Sequence, residues 1–259
     1  MSYRYIKTEK QNHLVIITIN RPEVMNAIHP PTSAELGHAF DEFQHDDDAW
    51  VAIITGEGDR AFSAGNDLKV TASGEKFPGL KWNGYFGGIT ARHDLFKPVI
   101  AAVNGVAMGG GFEIALACDI IVASDNATFA LPEPRVGLVA GAGGMHRLPR
   151  MLPFKVAMGM LLTGKRMSAK EMERWGVVNE VVPQAELMRT AERWANEILE
   201  CSPISVRLTK EAAYRNYHMS VEDALRSYTP LNQVLRTSED VIEGPKAFAE
   251  KRKPNWKNR

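Results

Sequence analysis

Two cysteines in 259 residues, no excess of either charge and no long apolar run exclude several classes of protein. Cys118 and Cys201 form no metal-ligand spacing, and Cys118 falls in an apolar stretch where a small buried residue is expected. With 31 basic and 31 acidic side chains the formal net charge is zero, so no global field draws the chain to nucleic acid or to a membrane surface. The apolar runs fall well short of the ~18 residues that a membrane-spanning helix needs. The first ten residues contain no apolar core of a secretory signal, and the expected setting is reducing and cytoplasmic. A dinucleotide fingerprint and a phosphate-binding GK[ST] loop are absent, and no glycine stands two positions before Ser63, as a nucleophile elbow would require. Neither a metal nor a bound cofactor is implied.

What remains is an ordinary globular composition, 44% hydrophobic and 24% charged, with enough apolar residues for a sizeable core. Short apolar runs at 14–19, 51–55, 99–103 and 120–123 read as buried strands, and helical spacing between them argues for an α/β chain with crossover connections. A glycine-rich segment at 71–88 carries Trp82, Tyr85 and Phe86; it reads either as a mobile cover over an apolar pocket or as a loop pinned by its aromatics. After residue 144 the pattern is almost wholly helical: 147–162, 169–175, 184–199, 203–216, 221–234 and 239–249, with a short strand at 177–182. Ser220 and Ser238 are expected N-caps. The expected division is an α/β core over 1–195 and a helical portion over 196–259.

Chemistry is concentrated in four segments. Ile100 to Glu113 reads IAAVNGVAMGGGFE: a buried apolar run, three glycines, then a helical stretch bearing Glu113 one turn inside. Glycines let backbone N–H groups approach a ligand closely, and a helix start leaves such groups unpaired and attractive to negative charge. A carboxyl group beside an anion site suits a reaction that builds charge on an oxygen and moves a proton. The second segment, Ala61-Phe62-Ser63-Ala64-Gly65-Asn66-Asp67-Leu68-Lys69, offers small residues shortly after a strand. The third holds Glu133 between Pro132 and Pro134, on a stiff backbone that suits a group that must be aimed. The fourth, Gly137 to Gly144, is a second glycine-rich helix entry.

In this order and at these separations the four segments resemble the crotonase (enoyl-CoA hydratase/isomerase) superfamily. The resemblance runs from Asn20-Arg21-Pro22 to the tail around Glu239-Asp240, Ala247-Phe248 and Glu250-Lys251-Arg252. It implies a spiral of repeated ββα units with a helical C-terminal trimerisation region, assembled as a homotrimer or a dimer of trimers. It implies an acyl-CoA thioester substrate, whose coenzyme A is the only cofactor-like group, and neither a nucleic-acid nor a membrane partner. By the same resemblance the thioester oxygen accepts hydrogen bonds from the backbone N–H groups of Ala64 and Gly110, while Gly65, Asn66 and Asp67 line the path of the CoA portion. Gly141 matches the glycine whose N–H contacts the reacting water. Hydratases of the superfamily carry two glutamates, at the positions of Glu113 and Glu133, whereas isomerases commonly keep only the second. The implied reaction is therefore addition of water across the C2=C3 bond of an enoyl-CoA, with Glu113 holding the water and Glu133 exchanging the proton at C2.

The acyl group is left open. The tail and Leu131-Pro132-Glu133 are similar to members that dehydrate carnitinyl-CoA, while Ala140-Gly141-Ala142 equally resembles general fatty-acyl hydratases. Trp82, Tyr85 and Phe86 suit a quaternary ammonium cage or an apolar tunnel. Isomerisation of the double bond, hydration followed by carbon–carbon cleavage, and a binding role without catalysis are the alternatives.

Overall fold

A computed structural model describes residues 3–80, 85–227 and 230–259. The strands are shared between two sheets, which they enter alternately from β3 to β8. The large sheet has the order β1-β2-β3-β5-β7-β10, built from Ile6–Gln11 (β1), Leu14–Ile19 (β2), Val51–Gly56 (β3), Val99–Val103 (β5), Ile120–Ser124 (β7) and Glu180–Val182 (β10). The small sheet is β4-β6-β8-β9, from Ala61–Ser63 (β4), Val106–Met108 (β6), Thr128–Ala130 (β8) and Met167–Ser168 (β9). From β2 to β10 the large sheet is parallel, with β1 antiparallel at its edge; β4, β6 and β8 are parallel to one another. Each of the three turns β3–β4, β5–β6 and β7–β8 thus lays one strand in the large sheet and one in the small sheet before the chain crosses back.

Period-2 alternation decides which side chains go where. In β3 and β5, Ile54, Ala101 and Val103 join Phe40, Phe43, Phe62, Phe112 and Phe129 in the core between the sheets. Their neighbours Ile53, Ile100 and Ala102 face the other way, onto Leu187, Ala191 and Ala195. Those three lie on one face of a helix at Leu187–Leu199, so the large sheet is covered on both sides and its parallel strands are apolar throughout.

The helices are α1 (Pro30–His45), α2 (Leu68–Ser73), α3 (Gly110–Ala117), α4 (Gly144–Met151), α5 (Phe154–Thr163), α6 (Ala169–Arg174), α7 (Leu187–Leu199), α8 (Pro203–Asn216), α9 (Val221–Arg226), α10 (Pro230–Thr237) and α11 (Asp240–Ala249). Starts are chemically marked. Ser168 and Glu171 form a reciprocal capping box on α6, Ser202 caps α8 ahead of Pro203, and Ser220 caps α9. Ser238 accepts from Val241 N at 3.2 Å, the capping bond expected of it. The helix expected over 147–162 is two helices, because Leu152 is extended and Pro153 starts a new element. The expected division at 195 falls inside α7, which stays on the sheet through its last turn.

Two polar side chains hold the inter-sheet turns. Asn104 Nδ2 donates to Gly56 O (2.9 Å) and Gly58 O (2.7 Å), and its Oδ1 accepts from Gly56 N (3.2 Å). Asn26 Nδ2 donates to Ala61 O at 2.7 Å and to Glu57 O at 3.0 Å. Buried carbonyls at these corners would otherwise go unpaired, at a cost of about 1–3 kcal/mol each. The C-terminal helices are moored at α8, where Lys210 Nζ meets Asp119 Oδ2 (2.7 Å) and Tyr214 OH donates to Asp119 Oδ1 (3.0 Å). Among the described residues no helix is long and apolar enough to cross a membrane.

Candidate active site

The parallel run of β4, β6 and β8 puts their C-terminal ends side by side, and the segments that follow them build the site. After β4 comes Ala64 to Asp67; after β6, Gly109 and the start of α3; after β8, Leu131 to Glu133. Ligand sites at the carboxyl ends of parallel strands follow from this geometry, because each strand delivers a loop to one rim.

Gly109 joins β6 to α3 with φ 53° and ψ −127°, a conformation closed to residues with a Cβ, and its N–H donates to Ala130 O at 2.9 Å. Gly110 then opens the helix with its N–H unpaired. The segment after β4 presses against it: a methyl group on Gly65 would lie 2.5 Å from Met108 O and 2.9 Å from Gly110 N. Of the two amides expected to hold the thioester oxygen, only Gly110 is free. Ala64 N donates to Met25 O at 2.9 Å and so is not a substrate donor. Gly65, at φ 85°, redirects the chain: Gly65 O accepts from Ile28 N (2.7 Å) and Asp67 N donates to Ile28 O (2.9 Å). The intervening Asn66 N–H therefore points to the opposite edge, where Gly110 lies, and has no acceptor among the described residues. Asn66 and Gly110, not Ala64 and Gly110, are the pair of open amides. Asp67 is fully engaged elsewhere, its carboxylate with Arg21 (3.0 Å) and with the first turn of α2.

Glu113 projects from α3 and is 3% exposed. Its Oε1 accepts from Gly144 N at 2.8 Å, with the Ala142 amide adding a weaker bond. Burial raises its pKa to about 7; those two amides and the Arg147 charge oppose the rise, and the carboxyl of Glu133 adds to it. Glu133 opens a 3₁₀ turn (Glu133–Val136) between its two prolines. One oxygen rests on Gly109, where a methyl would come within 2.8 Å, and the other is buried without a partner. Burial also pushes the Glu133 pKa up. Burial of both groups, with the Glu133 charge felt at Glu113, favours the protonated forms of the pair.

Gly141 is not placed as expected: its N–H donates to Val139 O at 2.7 Å in a tight turn. The amides that reach Glu113 come from the next residues, Ala142 and Gly144. Of the aromatic segment, Trp82 lies outside the described residues. Phe86 lies against the site, its ring filling the space beside Gly110 that a methyl there would occupy, 2.3 Å from Cε1. An open amide pair, two carboxyls with raised pKa values and an aromatic wall meet at one rim.

The sequence model for enoyl-CoA hydratase/isomerase matches residues 9–259. The chain belongs to the enoyl-CoA hydratase/isomerase family. Within the family it is 48% identical over 256 residues to a carnitinyl-CoA dehydratase of Escherichia coli strain SMS-3-5, covering 96% of this chain and 97% of that one. A carnitinyl-CoA dehydratase of Salmonella enteritidis PT4 is 49% identical over 249 residues, with 94% of each chain covered. Among solved structures, an enoyl-CoA hydratase from Mycobacterium tuberculosis H37Rv superimposes with a TM-score of 0.92 at 37% identity, over 98% of this chain and 99% of that one. The spiral of ββα units and the helical C-terminal region are thus the fold of this family.

A stability consequence follows from Glu113. Its pKa is raised on folding, so the favourable contribution of its protonated form is complete below the ordinary value of 4.5 and is lost as pH rises through about 7. Above that, ionised Glu113 weakens the fold by at most about 3 kcal/mol. Glu113→Gln, which keeps an acceptor for Gly144, is expected to be more stable than wild type in urea at pH 8, with the gap closing towards pH 5. A variant no more stable than wild type at pH 8 would contradict the burial account.

Proposed function

We propose that this protein adds water reversibly across the C2=C3 bond of an enoyl-CoA thioester, and that its physiological acyl group is crotonobetainyl, the dehydration partner of carnitinyl-CoA. The observation that carries the reaction is the carboxyl pair, a buried Glu113 and a half-buried Glu133 with one oxygen sealed from solvent, beside two open amides. The acyl assignment is supported by near-half identity to carnitinyl-CoA dehydratases over almost the whole of both chains.

The thioester oxygen accepts from Asn66 N and Gly110 N, which stabilise the enolate oxygen as the C2=C3 electrons move; one such donor is worth about 3–4 kcal/mol. Glu113, in the carboxylate form it takes as pH rises through about 7, holds a water and takes its proton as the oxygen bonds to C3. Glu133, as carboxylic acid, gives its proton to C2. One water is consumed, one proton passes to Glu113 and one leaves Glu133, so the pair ends with the same total charge and the product is a 3-hydroxyacyl-CoA. Dehydration is the reverse. Coenzyme A arrives with the substrate, and the reaction asks for no other cofactor. For a trimethylammonium acyl cap, the Phe86 ring beside Gly110 offers an apolar, cation-tolerant wall.

Glu133→Gln is expected to lower turnover by at least about 100-fold while changing the CoA-ester KM less than threefold, since general acid–base help is worth 10²–10⁴-fold. In wild type, crotonobetainyl-CoA should give a kcat/KM at least tenfold above that of crotonyl-CoA. A small loss in the variant would remove Glu133 from the chemistry; a preference for linear esters would overturn the acyl assignment alone.

We also propose assembly as a homotrimer or dimer of trimers. Val136, Leu138, Val139, Phe154 and Leu162 are exposed in the segment from the Glu133 turn to α5, and Leu225 and Phe248 are more than four-fifths exposed on α9 and α11. Apolar exposure on this scale marks contact surfaces. Light scattering should give three or six chains per particle; a monomer would reject the proposal.

A further inference from the structure

Arg147 breaks two local rules. It is a half-buried cation on the first turn of α4, where the helix dipole disfavours positive charge, and it forms no ion pair with any described carboxylate. Burial works against its charge, lowering its pKa from the usual arginine value. Its donors go instead to two backbone carbonyls. Nη2 donates to Thr90 O at 2.8 Å, and Nη1 reaches Ala142 O at 3.5 Å. The first carbonyl closes the segment that carries Phe86, whose own O accepts from Thr90 Oγ1 at 2.9 Å. The second belongs to the residue between Gly141 and Gly143, in the turn whose amides bond Glu113.

The cradle is built for the guanidinium. Gly143 sits at φ 109°, which favours glycine, and a methyl group there would lie 2.0 Å from Arg147 Nη1, so a side chain at 143 would oblige the guanidinium to shift. The groups that face Glu113 electrostatically are Glu133, from the turn after β8, and Arg147, from α4. Arg147 in turn feels Glu113, Cys118 at the end of α3, and Tyr214 on α8. It is the one cation among these groups. A half-buried cation with no ion-pair partner among the described residues, which fastens two site-forming segments and whose charge is felt at Glu113, is costly to keep for packing alone.

We propose that Arg147 is a positioning residue for Glu113: its guanidinium joins the Phe86 segment to the 137–144 turn and sets a fixed positive charge near the buried carboxylate, so that Glu113 meets water as a base. The proposal rests on the hydration reading in giving Glu113 that role. Arg147 touches no reacting atom. It acts through the Glu113 charge and through the turn that supplies the Glu113 hydrogen bonds.

The test reads the Glu113 carboxyl directly, by infrared difference titration, with the band assigned through its loss in Glu113→Gln. Arg147→Gln is expected to move the Glu113 titration upward by about one pH unit, because a neighbouring opposite charge shifts a carboxylate by that order. Arg147→Lys, which keeps the charge, should stay within about 0.3 units of wild type. The acidic limb of kcat/KM should move with the band, so that Arg147→Gln loses about fivefold more activity at pH 6 than at pH 8. An unmoved titration in Arg147→Gln, or an equal shift in Arg147→Lys, would reduce the residue to a clamp and overturn the proposal. Should Arg147→Gln not fold, Arg147→Met, which fills the space with an apolar chain, carries the same comparison. If neither neutral variant folds while Arg147→Lys does, the role is structural and the proposal fails. The infrared measurement needs no substrate: a shifted band in a protein that hydrates no enoyl-CoA would sink the functional reading and leave the electrostatic one standing.

Discussion

The rest of the site depends on one electrostatic constraint: two carboxyl groups share a pocket too dry to solvate two charges. Glu113 is nearly inaccessible, and Glu133 keeps one oxygen buried without a partner. Neither has a cationic partner in contact, and burial raises the pKa of both, so the pair resists carrying two charges. A carboxylate and a carboxylic acid side by side are what hydration of a conjugated double bond requires, one to take a proton from water and one to give a proton to carbon. The glycines serve the same end. Backbone amides can stabilise an enolate oxygen without adding a titratable group to a pocket whose charge balance is already delicate.

The spiral makes the constraint possible. Because β4, β6 and β8 run parallel in the small sheet, three segments distant in sequence end at one rim, and each contributes a different element: the Asn66 amide, the Gly110 amide with Glu113, and Glu133. Large-sheet strands cannot do this directly, since they are covered by the core on one side and by α7 on the other. The apolar bulk buys rigidity, and the short strands deliver the chemistry.

Much of this was legible in the residues, and the failures are local. Strands β2, β3, β5 and β7 announce themselves as apolar runs because both their faces are buried. The small sheet does not, since its strands are three residues or fewer and carry no period. The edge strand β1 reads IKTEKQ, and only Ile6 is buried. At the site, Glu113, Glu133 and Gly110 stand out by the company they keep in sequence. Ala64 misled because small residues permit an open amide but do not say which one is open. That is decided by the turn at Gly65 and by Ile28, a partner 37 positions upstream of it. Gly141 misled for a similar reason: its N–H closes a turn onto Val139, an interaction between near neighbours that glycine spacing does not reveal. Arg147 gives no sequence signal, since its meaning lies in the carboxylate it does not contact.

The measurement that tests the central claim most directly is mass spectrometry of the product formed from an enoyl-CoA ester in ¹⁸O-labelled water. A carboxyl pair that adds water predicts one solvent oxygen at C3 of a 3-hydroxyacyl-CoA. A product with a displaced double bond and no labelled oxygen would mean that proton transfer at carbon occurs without water addition, and the account of Glu113 as the water-holding base would be wrong.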